Sequence, residues 1–310
     1  MKSKLTKFSV SFLVLTIILN IFGFASFASQ SGVSVSGGSA EYGERSASRK
    51  YLSLSGVYNK TLSNYERYDI YYGGKTLGVK GFVHGDTYYV PLRATAELFG
   101  LSYAYSSSTK TASISGKGLV MTVSNGCYVS YANGRALFSP LPAVIMGDGR
   151  LYAPVSVIAK AMSLNHSVKN GRLELSGSFR AITSADKFYR QDEVLWLARI
   201  IHAESQGEPL LGQIAVGNIV MNRVAHRDYP NTIYSVIFDR KYGVQFSPIL
   251  NGTIYNTPSY NSTLAAMITL EGYRIDDEIL FFLQPRLSTS SWIPKNREYA
   301  FTIGNHDFYR

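Results

Sequence analysis

The sequence predicts an α+β protein of two modules. Three observations carry this: a set of motifs between residues 71 and 177 that occurs twice, a helical periodicity beyond residue 190, and a change in charge between the two regions. A chain of 310 residues is long enough for about two domains, each with its own core. Its 45% hydrophobic content, with 23 Tyr and 16 Phe, excludes a wholly disordered chain. Cys127 is the only cysteine, which excludes a disulfide scaffold and a multi-cysteine zinc module. The formal charge of +10 leaves three classes of anionic partner: nucleic acid, a membrane surface or a cell wall.

The first residues narrow that choice. Lys2, Lys4 and Lys7 precede an apolar run from Phe8 to Phe24, and small residues follow through Ala28. This is the order of a secretory signal, so residues 1–28 are expected to be a signal peptide and the protein to be exported. A membrane is a partner only if that segment stays uncleaved, and nucleic acid is not expected. Residues 29–64, rich in Ser and Gly, read as a flexible linker.

Residues 65–178 hold the repeat. Gly74-Lys75 is matched by Gly134-Arg135, Gly85-Asp86 by Gly147-Asp148, and Tyr89-Val90-Pro91-Leu92 by Tyr152-Ala153-Pro154-Val155. In each copy a β-type run ends in a proline suited to the first turn of a helix. Leu92, Ala96, Leu98 and Phe99 then recur at helical spacing, as do Val155, Ile158, Ala159 and Met162. A hairpin follows each helix, the second turning at Asn170-Gly171, a strong type I′ signal. The predicted unit is strand, helix, hairpin, twice over. It resembles the copper amine oxidase N-terminal-like domain, most closely over Tyr89 to Gly100. Copper needs His or Cys ligands, and this region offers only His84, His166 and Cys127, with no close pair. No metal or other cofactor is expected. Residues 1–186 carry a net charge of +10 and residues 187–310 a net of zero. The repeat module is therefore a candidate for salt-dependent attraction to anionic wall polymers.

The last module, residues 188–310, carries the chemistry. Asp192 is a candidate N-cap. Val194, Leu195, Leu197, Ala198 and Ile201 share one helical face, and Gly207 and Pro209 stop the helix just beyond Glu204. Leu211 to Val224 and Leu264 to Leu270 read as further helices. The apolar run Ile279 to Leu283 fits a buried strand or a core helix segment. The stretch from Ala198 through His202-Ala203-Glu204-Ser205-Gln206-Gly207-Glu208-Pro209 resembles the opening of the SleB/CwlJ-type cell wall hydrolases, the spore cortex-lytic enzyme family. Gly212-Gln213-Ile214-Ala215, Met221-Asn222-Arg223, Gln245-Phe246, Trp292 and Ile303-Gly304-Asn305-His306-Asp307-Phe308-Tyr309 extend the likeness in order along about 120 residues. Gln284 departs from it, standing where the family carries Asn. The resemblance implies a lysozyme-like fold and cleavage of the glycan strands of peptidoglycan, as a lytic transglycosylase that leaves 1,6-anhydromuramic ends.

Glycan cleavage needs a carboxylic acid still protonated near neutral pH. The negative end of a helix dipole and an apolar wall both push a carboxyl that way. Glu204 meets both demands and is the candidate catalytic residue, with Glu208 as the alternative or assisting acid. Gln213, Asn222 and Gln245 are candidate hydrogen-bonding partners of the sugar. Tyr255 and Trp292 are candidate stacking surfaces, with Tyr260 beside them. No spacing marks out a second carboxylate, which mildly favours the transglycosylase route over hydrolysis. Two readings stay open: an N-acetylmuramoyl-L-alanine amidase, for which His202, His226 and His306 lack ligand spacing, and a non-catalytic wall or spore-coat binding protein. The expected location is secreted, in association with wall or spore. The C-terminal module is expected to fold and act alone.

Overall fold

Two prolines organise the first module. The computed structural model describes residues 61–241, 243–288 and 291–310. The expected signal segment, and the expected linker up to residue 60, lie outside the described residues. The end of that linker is already structured: Leu62–Asn64 form a 3-10 turn, and Leu62 packs against the aromatic cluster of Phe82, Tyr89 and Tyr152. In chain order there follow β1 (Arg67–Tyr72), β2 (Lys75–Thr76), β3 (Gly81–His84), β4 (Thr87–Pro91), α1 (Leu92–Leu98), β5 (Ser102–Ser106), β6 (Thr111–Gly116), β7 (Leu119–Ser124), β8 (Val129–Ala132), β9 (Arg135–Phe138), β10 (Val144–Ile145), β11 (Leu151–Pro154), α2 (Val155–Ala161), β12 (Asn165–Lys169) and β13 (Arg172–Ser176). Pro91 and Pro154 each close a strand and stand at the N-cap of the next helix. There the missing N–H costs nothing and the fixed φ suits the turn.

The two copies meet through these same motifs. β4 and β11 run antiparallel, pairing Pro91 with Tyr152, Val90 with Ala153 and Tyr89 with Pro154. One sheet has the order β10-β11-β4-β3-β1-β13-β12, with β2 added on β1. A second, five-stranded meander runs β5 to β9. Here the copies part ways: the first hairpin starts the meander, whereas the second returns to the first sheet and pairs β13 parallel with β1. Asn170 and Gly171 both have positive φ (50° and 69°), as a type I′ turn requires. The core between the layers includes Ile70, Leu92, Ile114, Met121, Ile158 and Leu173, all essentially buried.

The second module is mixed too. Its helices are α3 (Gln191–Ser205), α4 (Leu210–Ala225), α5 (Ile233–Ile237) and α6 (Tyr260–Leu270), with short helical turns between them. β14 (Phe281–Leu283), β15 (Tyr299–Ile303) and β16 (His306–Tyr309) form a sheet in the order β14-β16-β15. The apolar run at Ile279 to Leu283 is thus a strand at its end, with Ile279 fully buried. Gly217 lets the helices close up: a Cβ there would stand 2.6 Å from Thr269 Oγ1 and 3.0 Å from Ile201 Cδ1. Asp192 sits in the first turn of α3 and Arg190 occupies the N-cap, so the expected cap is displaced by two residues. The acidic side chain still serves the positive helix end. No described helix is long and apolar enough to cross a membrane.

The two modules are in contact. Ala136 belongs to the core of the second module, and Tyr131 and Phe138 pack against it. Glu271, at the end of α6, has a side chain only 3% exposed. Arg135 grips it with two hydrogen bonds, Nε to Oε1 at 2.8 Å and Nη2 to Oε2 at 2.7 Å. Lys160 Nζ lies 2.8 Å from Oε2, and the Tyr189 hydroxyl donates to Oε1 at 2.6 Å. Burial would raise the Glu271 carboxyl, but the donors from Arg135, Lys160 and Tyr189 outweigh it and hold it below the usual range. The ring of Phe188 covers the Arg135 guanidinium at 3.3 Å, and the Tyr131 and Tyr260 hydroxyls meet at 2.8 Å.

Candidate active site

Glu204 stands in the last turn of α3. That helix turns Leu197, Ala198, Ile200, Ile201 and Ser205 into the core and leaves Glu204 beside that buried face, itself largely desolvated. Among the described residues its carboxyl accepts no hydrogen bond and joins no ion pair. Burial without compensation pushes it up to about 7, against the opposing pull of the Arg223 guanidinium. The helix end adds in the same direction as burial, because its unpaired carbonyls repel negative charge. The neighbouring Ser205 hydroxyl donates to the Ile201 carbonyl at 2.7 Å and is buried, so it is an anchor within the helix. His202 Nδ1 accepts from the Ser259 N–H at 3.3 Å, tying the same turn to the start of α6.

Arg223, on α4, is the charged group that sequence reasoning missed as a site residue. It is 4% exposed. Its Nε donates to the Leu280 carbonyl at 2.9 Å. Its guanidinium lies over Tyr229, Phe246 and Phe281 at 5.1, 5.2 and 5.7 Å. Nη1 is buried with no hydrogen-bond partner among the described residues. The available signal for it is the triplet Met221-Asn222-Arg223.

The other candidates divide. Gln213 is buried; its Nε2 donates to the Glu208 carbonyl at 3.0 Å and its Oε1 accepts from Ser262 at 2.9 Å. Asn222 is also buried and donates to the carbonyls of Asp276 and Ile279 at 3.1 and 2.9 Å. With Asn218, which bonds Tyr273 and Ile275, it pins the segment that leads into β14. In this structure both amides are bonded to the protein's own chain. Gln245 is half-buried next to Phe246, at the floor under Arg223. Trp292 is half exposed, 6.3 Å from Phe281, with the Arg297 guanidinium over its ring. Tyr255 stands apart from these, exposed against Trp196 two turns up α3.

Glu208 does a different job. Its carboxylate accepts from the Asn305 backbone N–H at 2.9 Å and from Asn305 Nδ2 at 3.0 Å. Gly304 has φ +59°, and a Cβ there would collide with that carboxylate. Glu208 therefore clamps the β15–β16 turn against the chain that follows Glu204. His306, buried 3.7 Å from the same carboxylate, is held neutral because burial lowers its affinity for a proton more than Glu208 raises it. Other carboxylates are committed: Asp276 to Arg310, Asp307 to Thr302, and Asp239 to the Lys241 N–H. Among the described residues no group of three or more His, Cys, Asp or Glu stands close enough to hold a metal ion.

Comparison with known proteins finds two family matches, each over about a third of the chain. Residues 207–309 match the Cell Wall Hydrolase family, and residues 72–175 match the copper amine oxidase N-terminal domain. The first match begins three residues beyond Glu204. Over 126 residues the chain is 33% identical to the spore cortex-lytic enzyme of Bacillus cereus, covering 41% of this chain and 47% of that protein. It is 29% identical over 120 residues to the spore cortex-lytic enzyme of Bacillus subtilis strain 168, covering 39% and 38%. The chain spans less than half the length of these curated relatives. Among solved structures it is similar to the catalytic domain of the germination-specific lytic transglycosylase SleB from Bacillus anthracis. That match has 34% identity and a TM-score of 0.36, and covers 39% of this chain and 97% of that one.

Proposed function

We propose that this chain, whose last module is a cell wall hydrolase domain and whose preceding module is a copper amine oxidase N-terminal domain, cleaves the glycan strands of peptidoglycan as a lytic transglycosylase. Glu204 is the acid and the base. The carrying observation is its setting: a desolvated carboxyl at a helix end, without a hydrogen-bond partner among the described residues and pushed up to about 7. The chain's likeness to spore cortex-lytic enzymes supports peptidoglycan, including that of the spore cortex, as the substrate. The basic repeat region supports attraction to anionic wall polymers, and the N-terminal signal pattern supports export. The reading keeps the lysozyme-like fold for residues 188–310.

The chemistry needs one carboxyl used twice. Protonated Glu204 gives its proton to the glycosidic oxygen as the bond to muramic C1 breaks. Positive charge develops at C1, and the substrate's own N-acetyl oxygen shares it. Glu204, now ionised, takes the proton of the muramic 6-hydroxyl while O6 bonds to C1. The 1,6-anhydro ring closes, no water enters, and the acid is regenerated. The 6-hydroxyl is held by the sugar ring, so its attack gains the high effective concentration of a tethered group. Arg223 has a physical role here. A carboxyl desolvated with no cation nearby would hold its proton too tightly to be a good acid; the guanidinium holds it near neutrality, where it can act in both directions. Trp292 and Gln245 lie on the side of Phe281 and Phe246 and serve as substrate contacts; Tyr255 extends the surface further along α3.

Glu208, Asp239, Asp276 and Asp307 each accept a hydrogen bond within the protein, and no carboxylate stands out as the partner that hydrolysis requires. Mass spectrometry of digested sacculi tests the proposal. The expected products end in 1,6-anhydromuramic acid and resist borohydride. Reducible muramic ends as the main product would overturn the transglycosylase route. Release of intact peptides with uncut glycan would instead favour an amidase.

A further inference from the structure

The repeat module holds a cavity of about 470 Å³ away from Glu204. That volume is within the usual range for small-ligand sites, about 300–1,000 Å³. Its walls come from both copies of the repeat. The first copy supplies Arg93 and Glu97 on the outer face of α1 and Tyr103 and Tyr105 on β5; the second supplies Asp148 and Arg150 in the β10–β11 turn. The antiparallel pairing of β4 with β11 brings these pieces together, so neither copy forms the cavity alone.

The charges in it are arranged, and they are of both signs. The Arg93 guanidinium lies 4.9 Å over the Tyr103 ring, which orients it. Arg150 is held by Asp148, Nη1 to Oδ2 at 2.8 Å and backbone N–H to Oδ1 at 3.1 Å. The Tyr152 hydroxyl donates to the same carboxylate at 2.9 Å. Glu97 stands one helical turn from Arg93, its carboxylate without an ion-pair or hydrogen-bond partner among the described residues. Leu92 and Leu151 lie in the apolar floor. Two guanidinium groups and two carboxylates sum to zero, which gives a repeating polyanion no net attraction here. A sugar platform is disfavoured as well, since Arg93 already covers a face of Tyr103. A ligand that fits carries a carboxylate for the arginines, an ammonium for Glu97, and a short aliphatic stretch between them.

We propose that this cavity binds a short peptide with free carboxylate and ammonium groups, the kind that branches from peptidoglycan glycan strands; the source of the peptide rests on the wall substrate proposed above. The module then recognises the stem while the last module cuts the strand. The test is calorimetric titration of the full chain with the tetrapeptide L-alanyl-γ-D-glutamyl-diaminopimelyl-D-alanine. Arg93→Ala and Glu97→Gln, both on the exposed face of α1, should each weaken binding by about tenfold or more, as expected for charged hydrogen bonds. Thermal melting checks that both variants are folded. Cleavage of peptide-free glycan should be unchanged in both. No binding of the tetrapeptide, or binding by both variants as tight as that of the parent chain, would overturn the assignment. So would loss in the variants of binding to an N-acetylglucosamine tetramer or a glycerol phosphate polymer instead. Because cleavage is read from glycan products, a failure of the catalytic proposal shows separately.

Discussion

Replacing Glu204 by Gln should cost activity and add stability, and the stability gain should depend on pH in a defined way. An ordinary glutamate titrates near 4.5, whereas Glu204 is pushed up to about 7. Its folded-state value is raised, so the protein carries no penalty from this group below pH 4.5, where it is neutral both folded and unfolded. The penalty grows as pH rises from 4.5 to about 7, and is constant above that. At about 1.4 kcal/mol per pH unit the full penalty is about 3 kcal/mol. Some contact with solvent lowers it, to about 2 kcal/mol on the same scale. Gln imitates the neutral acid and escapes the penalty. Urea unfolding at pH 4, 6 and 8.5 should show the variant and the parent about equal at pH 4, and the variant about 2–3 kcal/mol more stable at pH 8.5. Glycan cleavage should fall by at least about a hundredfold, the scale for losing a general acid. A stability difference that is the same at all three pH values would refute the desolvation argument, even if activity were lost.

The same titration sets the rate. The kcat/KM for glycan cleavage should decline as pH rises through about 7, because only protonated Glu204 can start the reaction; a rate still rising at pH 9 would exclude it as the acid. Glu208→Gln should keep cleavage within about tenfold, far above the loss of a general acid. It should lower stability by about 1 kcal/mol, because it loses part of the Asn305 clamp. Arg135→Ala leaves Glu271 buried beside Lys160 and Tyr189, and should destabilise the chain by about 3 kcal/mol in urea titration. Glu271 is held below its ordinary range, so that loss should shrink as pH falls below the usual carboxylate range. Equal loss at pH 3 and pH 7 would contradict the ion-pair account.

What could be read from residues alone follows from how local each signal is. The Tyr-x-Pro motifs, Asn170-Gly171 and the apolar spacing of Leu197 to Ile201 act over a few residues, and the elements stand where these signals place them. The helix-end position of Glu204 is legible for the same reason: a helix and its stop lie on either side. The partners of Gln213 and Asn222 are not legible, because an amide looks the same from sequence whether it faces a sugar or a carbonyl. Their partners lie at Ser262 and Ile279, in segments with no recognisable motif. The grip of Arg135 on Glu271 spans 136 residues and had no local trace at all. The contact of Glu208 with the turn at Asn305 has no local trace either, since only tertiary folding brings the two near.

The parallel pairing of β1 with β13 sets the order in which the first module can be completed. Strand β1 ends at Tyr72 and β13 begins at Arg172. A chain made at about 5–20 residues per second therefore holds β1 without that neighbour for on the order of 5–20 s. During that interval β3 and β2 can cover the other edge, since both are local. The open edge must resist pairing with a second nascent chain, and charged residues in an edge strand discourage such pairing. β1 has them in Arg67 and Asp69, and Asp69 is the residue that later pairs with Arg172 across the closed seam. Contacts of such wide separation form slowly, so the joining of β13 is expected to limit the refolding rate of this module, while the helices of the second module form early.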